Sequence, residues 1–100
     1  MRMNIGFIGV GNMGSPMIKS IAAAGIIPAG QIYIFDIDKG KTSALKKETG
    51  VNVLGSGEEI VEKSDIVILA VKPNVVKPVL EACKHKFDSK KILVSIAVGI

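Results

Sequence analysis

Asn4-Ile5-Gly6-Phe7-Ile8-Gly9-Val10-Gly11-Asn12-Met13-Gly14 is the stretch whose reading decides the fold. It runs a hydrophobic segment directly into Gly-x-Gly-x-x-Gly, and a helical pattern follows at once. In that arrangement the first glycine lets the chain turn tightly off a strand. The second leaves the backbone bare, so that a phosphate can approach, and the third lets the next helix pack close to the sheet. The free N–H groups and the positive dipole end of that helix then face an anion. Glycine spacing alone is weak evidence. Its weight here comes from context: a strand before it, a helix after it, and an acidic residue at a suitable distance downstream.

Outward from this loop, apolar strands alternate with helical patterns. Met3–Ile8 reads as a buried strand. Met13–Ala24 reads as a helix with Met13, Met17, Ile18 and Ile21 on its sheet side. Pro16 is tolerable in its first turn and Gly25 is a good C-terminal cap. Gln31–Asp36 is a second strand, too continuously apolar to be half exposed. Lys39–Thr49 is a helix with Leu45 inward, ended by Gly50, and Val51–Leu54 is a short third strand. Ser56-Gly57-Glu58-Glu59 fits a capping box opening a helix that runs to Lys63, with Glu59 reaching back. Asp65–Val71 is the fourth strand. Asn74 can cap a helix through Ala82 and Lys84, and Lys91–Val98 is the fifth strand. These segments predict an α/β domain: a Rossmann-type parallel sheet in the order 3-2-1-4-5, with helices on both faces. Ligands in such a sheet lie across the carboxyl ends of strands one and four, where the order reverses.

One hundred residues make one small domain, and 48% hydrophobic residues are ample for its core. No apolar run approaches a membrane span, and the N-terminus lacks a signal-peptide layout, so a cytoplasmic protein is expected. The single Cys83 excludes an internal disulfide or a multi-cysteine metal site. A packed or partly exposed inert thiol is its expected state. The lone His85 has no evident ligand or triad partner and reads as a surface residue. The net charge of +4 comes from dispersed lysines without interleaved aromatics. That pattern argues against a nucleic-acid surface but favours approach of anionic ligands.

Asp36 closes the second strand 22 positions after Gly14. A carboxylate there can accept both ribose hydroxyl hydrogens of an adenosine and repel a 2′-phosphate. The competing reading is a turn-forming aspartate acting with Asp38. No arginine lies nearby as a phosphate clamp, and Lys39 and Lys41 are the only substitutes. Ala70-Val71-Lys72-Pro73 ends the fourth strand at the switch point. There Lys72 either extends from the cofactor crevice or is simply an exposed loop lysine, and Pro73 fixes the chain's exit.

Three segments carry a family resemblance: Gly6 to Gly14, Asp65-Ile66-Val67-Ile68-Leu69-Ala70-Val71-Lys72-Pro73, and Val94-Ser95-Ile96-Ala97-Val98-Gly99-Ile100. In order and spacing they resemble pyrroline-5-carboxylate reductase across the whole chain. The resemblance implies hydride transfer from NAD(P)H to the C=N carbon of 1-pyrroline-5-carboxylate, giving L-proline. By position it places Ile8, Gly9, Val10, Gly11, Asn12 and Met13 around the pyrophosphate and Asp36 on the adenosine ribose. Ala70, Val71, Lys72 and Pro73 would line the ribose and nicotinamide side, with Ile96, Ala97 and Val98 under the nicotinamide ring. Ser56 or Gly57 falls where the family often has an asparagine near the adenosine, and Val98 replaces a commoner alanine. The family also has a helical domain that makes the dimer and supplies the substrate pocket. Residues 1–100 would then be the dinucleotide-binding part alone, binding cofactor, with NADH preferred over NADPH, but hardly turning over. No catalytic residue is named within it, and no metal is expected.

Two other readings compete. Gly11-Asn12-Met13-Gly14-Ser15-Pro16-Met17 also looks like the start of 3-hydroxyisobutyrate-type dehydrogenases. Alternatively, a non-catalytic dinucleotide-sensing module would keep Gly9, Gly11, Gly14 and Asp36 but has no need of Lys72-Pro73.

Overall fold

The computed structural model describes residues 3–11, 14–88 and 90–96. Strands β1 (Ile5–Ile8), β2 (Ile32–Phe35), β3 (Asn52–Val53), β4 (Ile66–Leu69) and β5 (Ile92–Ser95) alternate with four helices. The helices are α1 (Gly14–Ala24), α2 (Lys39–Thr49), α3 (Gly57–Lys63) and α4 (Pro73–Cys83). The strands form one sheet in the order β3-β2-β1-β4-β5, and every neighbouring pair is parallel. The expected Rossmann-type arrangement is therefore present. β1 ends at Ile8 as expected but starts later, and the other strands are shorter than expected at both ends, because backbone pairing stops where the chain turns into its loops.

The side-chain period of two along each strand divides the core between the two sheet faces. Ile5 and Phe7 of β1, with Ile32, Ile34 and Ile68, pack against Ile18 of α1 and Leu45 of α2. Ile8, Val67 and Leu69 point the other way and pack against Ile60 and Val61 of α3 and Cys83 of α4. On that second face Gly6 is a place of close approach. A Cβ there would run into Ser64 and would lie 2.6 Å from Ile60 Cγ2. The sheet and α3 thus meet at a bare backbone.

Local signals start and stop the helices. Asp38 caps α2, its carboxylate accepting from the Gly40 and Lys41 amides, and Gly50 ends it at φ 83°, a left-handed geometry that favours glycine. Ser56 Oγ accepts from the Glu59 amide at 3.2 Å. The Glu59 carboxylate reaches one residue beyond the expected cap, to the Gly55 amide at 3.1 Å. Asn74 does not cap α4. The helix begins at Pro73 with Lys72 in the cap position and no side-chain cap bond. Proline suits the first helical position, having a preset φ and no N–H to satisfy, and so moves the start upstream.

Cys83 is buried, as a packed thiol should be. Burial, and then the nearby Glu58 charge, push its pKa above the ordinary thiol value. His85 is exposed but not partnerless, since its Nε2 lies 2.9 Å from Glu58 Oε2. The sequence hid this pair because it joins α3 to the turn after α4 across 27 residues. Among the described residues no helix is long and apolar enough to cross a membrane. No group of three potential metal ligands occurs among them either.

Candidate dinucleotide site

The three glycines of the loop after β1 do different work. Gly9 has φ +89°, and a Cβ on it would lie 2.7 Å from the Ala70 carbonyl oxygen and 2.6 Å from Val71 Cγ1. Both backbone conformation and crowding therefore demand glycine. Gly14 is close-packed, with a would-be Cβ 3.1 Å from Ala70 Cβ and 3.3 Å from the Gly9 carbonyl oxygen. Gly11 is different: among the described residues the nearest atom to its would-be Cβ is the Ala70 oxygen at 3.8 Å, an ordinary contact. These residues would admit a Cβ there, so their packing does not require a bare backbone at Gly11. This is the fit expected for a phosphate group drawn against the chain.

The loop's amides are partly committed to β2. The Gly9 amide donates to the Phe35 carbonyl at 2.7 Å, and the Val10 amide donates to Asp36 Oδ2 at 2.9 Å. The Gly11 amide makes no such bond among the described residues. Donors for an anion therefore start at Gly11, not at Gly9. Asp36 Oδ1 accepts from the Asp38 amide at 2.8 Å. Asp36 thus shapes the turn with Asp38 and also holds the edge of the glycine loop through Val10.

A cleft of about 520 Å³ opens beside the loop, lined by Val10, Gly11, Ser15, Pro16, Lys19 and Lys41. Two lysines give it a positive field. Lys19 Nζ is also 3.3 Å from Glu48 of α2. Ser15, Pro16 and Lys19 were not among the residues expected from sequence. The signal was available, since Ser15 and Lys19 are four apart and share a helix face, but only the sheet's position shows that this face borders the loop.

On the other side of Gly9, the Ala70 amide donates to the Ile8 carbonyl and the Ile96 amide to the Leu69 carbonyl, both at 2.9 Å. The carboxyl ends of β1, β4 and β5 thus bring Ile8, Gly9, Ala70, Val71 and Ile96 together. The Ile8 side chain belongs to the core, leaving only its backbone near the edge. Lys72 is exposed at the start of α4, next to Pro73. Ser56 and Gly57 are used locally. Ser56 is the α3 cap, and a Cβ at Gly57 would lie 3.1 Å from Cys83 Sγ and 3.4 Å from Ile8 Cδ1. Neither lines the cleft. Asn12, Met13, Ala97 and Val98 lie outside the described residues.

Residues 4–99 match the model of a protein family described as NADP oxidoreductase, coenzyme F420-dependent. The chain belongs to this family. Among similar proteins, a pyrroline-5-carboxylate reductase of Arabidopsis thaliana is 38% identical over 96 residues, covering 96% of this chain and 35% of that protein. The crystal structure of Plasmodium falciparum pyrroline carboxylate reductase with NADP bound matches at TM-score 0.81 and 35% identity. That match covers 95% of this chain and 33% of that one. A pyrroline-5-carboxylate reductase structure from Coxiella burnetii matches at TM-score 0.90 and 31% identity, over 98% of this chain and 36% of that one. The resemblance drawn from the three sequence segments is borne out. This member of the NADP oxidoreductase family spans about a third of the length of the relatives it matches.

Proposed function

We propose that this chain is the cofactor-binding part of an oxidoreductase that reduces 1-pyrroline-5-carboxylate to L-proline, the last step of proline synthesis. The observation that carries the reading is the room at Gly11, in a loop where the fold requires Gly9 and packs Gly14 tightly. It lies at the switch point between β1 and β4, and the similar reductases support the choice of reaction. When bound, NAD(P)H supplies the hydride.

In this reading Gly11, Asn12 and Met13 donate amides to the pyrophosphate, and Gly9 and Val10 supply the backbone surface it rests on. Asp36 takes the adenosine ribose. A carboxylate has about four acceptor sites, and two are used by the Val10 and Asp38 amides. Ala70, Val71, Lys72 and Pro73 border the nicotinamide half, with Ile96, Ala97 and Val98 beneath the ring. Ser56 and Gly57 stand toward the adenosine. NADH is preferred, because a 2′-phosphate meets the Asp36 carboxylate with like charge. Lys41 in the cleft partly offsets that repulsion. The reaction takes place in a cytoplasmic homodimer or higher homo-oligomer, with a helical domain beyond this one supplying the imine pocket and the remaining catalytic groups.

The test is cofactor oxidation by the full-length protein given the cyclic imine, with kcat/KM measured for NADH and NADPH. Imine-dependent oxidation with the larger value for NADH is expected. No imine-dependent turnover would defeat the assigned reaction, and a larger value for NADPH would defeat the preference. A second measurement addresses the loop. Gly11→Val is expected to leave thermal unfolding nearly unchanged, since the described residues would admit a Cβ there, yet to abolish dinucleotide binding by calorimetry. Unchanged affinity in this variant would dismiss the cradle.

A further inference from the structure

We infer that Asp36 is a positioning residue for the glycine loop, holding the backbone at Val10 and Gly11 in its binding shape before any dinucleotide arrives. The inference rests on the dinucleotide reading of this site. It goes beyond ribose recognition, because the bonds that carry it involve no ligand. The Val10 amide donates to Asp36 Oδ2 at 2.9 Å across 26 residues of sequence. Asp36 is itself held from behind, since its Oδ1 accepts from the Asp38 amide at 2.8 Å. Asp38 in turn accepts at one carboxylate oxygen from the Gly40 amide at 3.0 Å and the Lys41 amide at 3.3 Å. A relay of charge-assisted hydrogen bonds thus runs from the first turn of α2 through two carboxylates to the loop.

The loop needs this hold at Val10. One residue earlier, the Gly9 amide is fixed by the Phe35 carbonyl at 2.7 Å. One residue later, Gly11 borders the cleft. Val10 is only 1% exposed, its side chain packed in the core. Without the carboxylate its amide would be a buried donor with no partner, which is costly. The peptide between Gly9 and Val10, which carries that amide, would then turn to find one. That turn changes the backbone angles at Val10 and so re-aims the next peptide, which carries the Gly11 amide, the first donor free to meet a phosphate.

The two roles of Asp36 separate with a ligand that keeps the diphosphate but lacks the ribose hydroxyls. 2′,3′-Dideoxyadenosine 5′-diphosphate is such a probe, with ADP as its hydroxylated partner. Calorimetry on wild type, Asp36→Ser and Asp36→Asn measures both affinities, and amide hydrogen exchange measures protection at Val10. Asp36→Ser is expected to lose about tenfold or more in affinity for the dideoxy probe, the scale of a lost hydrogen bond to a charged group. Val10 exchange is expected to quicken by a similar factor while the β1 amides keep their protection. Asp36→Asn keeps the size but offers one acceptor oxygen to two amide donors. It is expected to show the same losses and carries the test if the serine variant does not fold. If ADP binding weakens while affinity for the dideoxy probe and Val10 protection are unchanged, Asp36 acts on the ribose alone and the inference is overturned. If wild type binds neither probe, the dinucleotide reading fails. Val10 exchange, which needs no ligand, then still decides whether Asp36 orders the loop.

Discussion

Strands β1 and β5 are each four residues long and mostly apolar, Ile5-Gly6-Phe7-Ile8 and Ile92-Leu93-Val94-Ser95. Every β1 residue is buried and every β5 residue is exposed. The difference lies in their neighbours. β1 is paired on both sides, to β2 and β4, with helices over both faces. β5 is paired only to β4, and Ile92 is 56% exposed. What holds β5 is backbone bonding, reinforced at its start by Lys91 Nζ donating to the Ser64 carbonyl at 2.8 Å. Apolar composition alone therefore does not say how much a strand contributes to stability, because only surface removed from water contributes.

The largest expected effect follows at Phe7, which is 0% exposed. Phe7→Ala should destabilise by about 3–5 kcal/mol, through lost burial and the cavity left behind, measured by urea unfolding. Next comes Gly6→Ala, which adds a methyl where Ser64 and Ile60 already crowd the strand. A loss of about 1–3 kcal/mol is expected from overpacking. Adding Ser64→Ala should recover part of it by removing the hydroxyl, and no recovery would mean that the crowding lies elsewhere. The smallest is Leu93→Ala, on a strand 40% exposed at that position. It should stay within about 0.5 kcal/mol, the usual range for surface changes. A loss at Leu93 comparable to that at Phe7 would break the contrast between the two strands.

The same contrast bears on the site. The carboxyl end of β1 carries a loop fixed from two directions, by β2 through Phe35 and Asp36 and by β4 through Ala70. A loop crowded by its neighbours on two sides leaves one face uncovered, the face that borders the cleft. The open face is where Gly11 lies.

The sequence by itself determined the alternation of strands and helices, the parallel order 3-2-1-4-5, the glycine turn and the family resemblance. These depend on signals that are local in the chain: β-branched runs, a glycine spacing, and an aspartate or serine at a helix start. Tertiary structure alone decided which of these residues serve the fold and which are left free. Gly9 and Gly14 look like Gly11 in the motif, but only the folded chain shows that Gly9 needs glycine, for its φ of +89° and its crowding by Ala70, and that Gly14 packs tightly on Ala70. Asp36 reads as a ribose acceptor, but its bond to Val10 forms only when β1 and β2 lie side by side. His85 meets Glu58, and Lys19 reaches the cleft, because helices far apart in sequence are laid on the same sheet face or edge. Ser56 and Gly57 sit at a familiar position, yet their contacts come from the α3 cap and from Cys83. Such contacts depend on distances between segments that no local pattern encodes, and they are settled only when the buried faces of the sheet close against their helices.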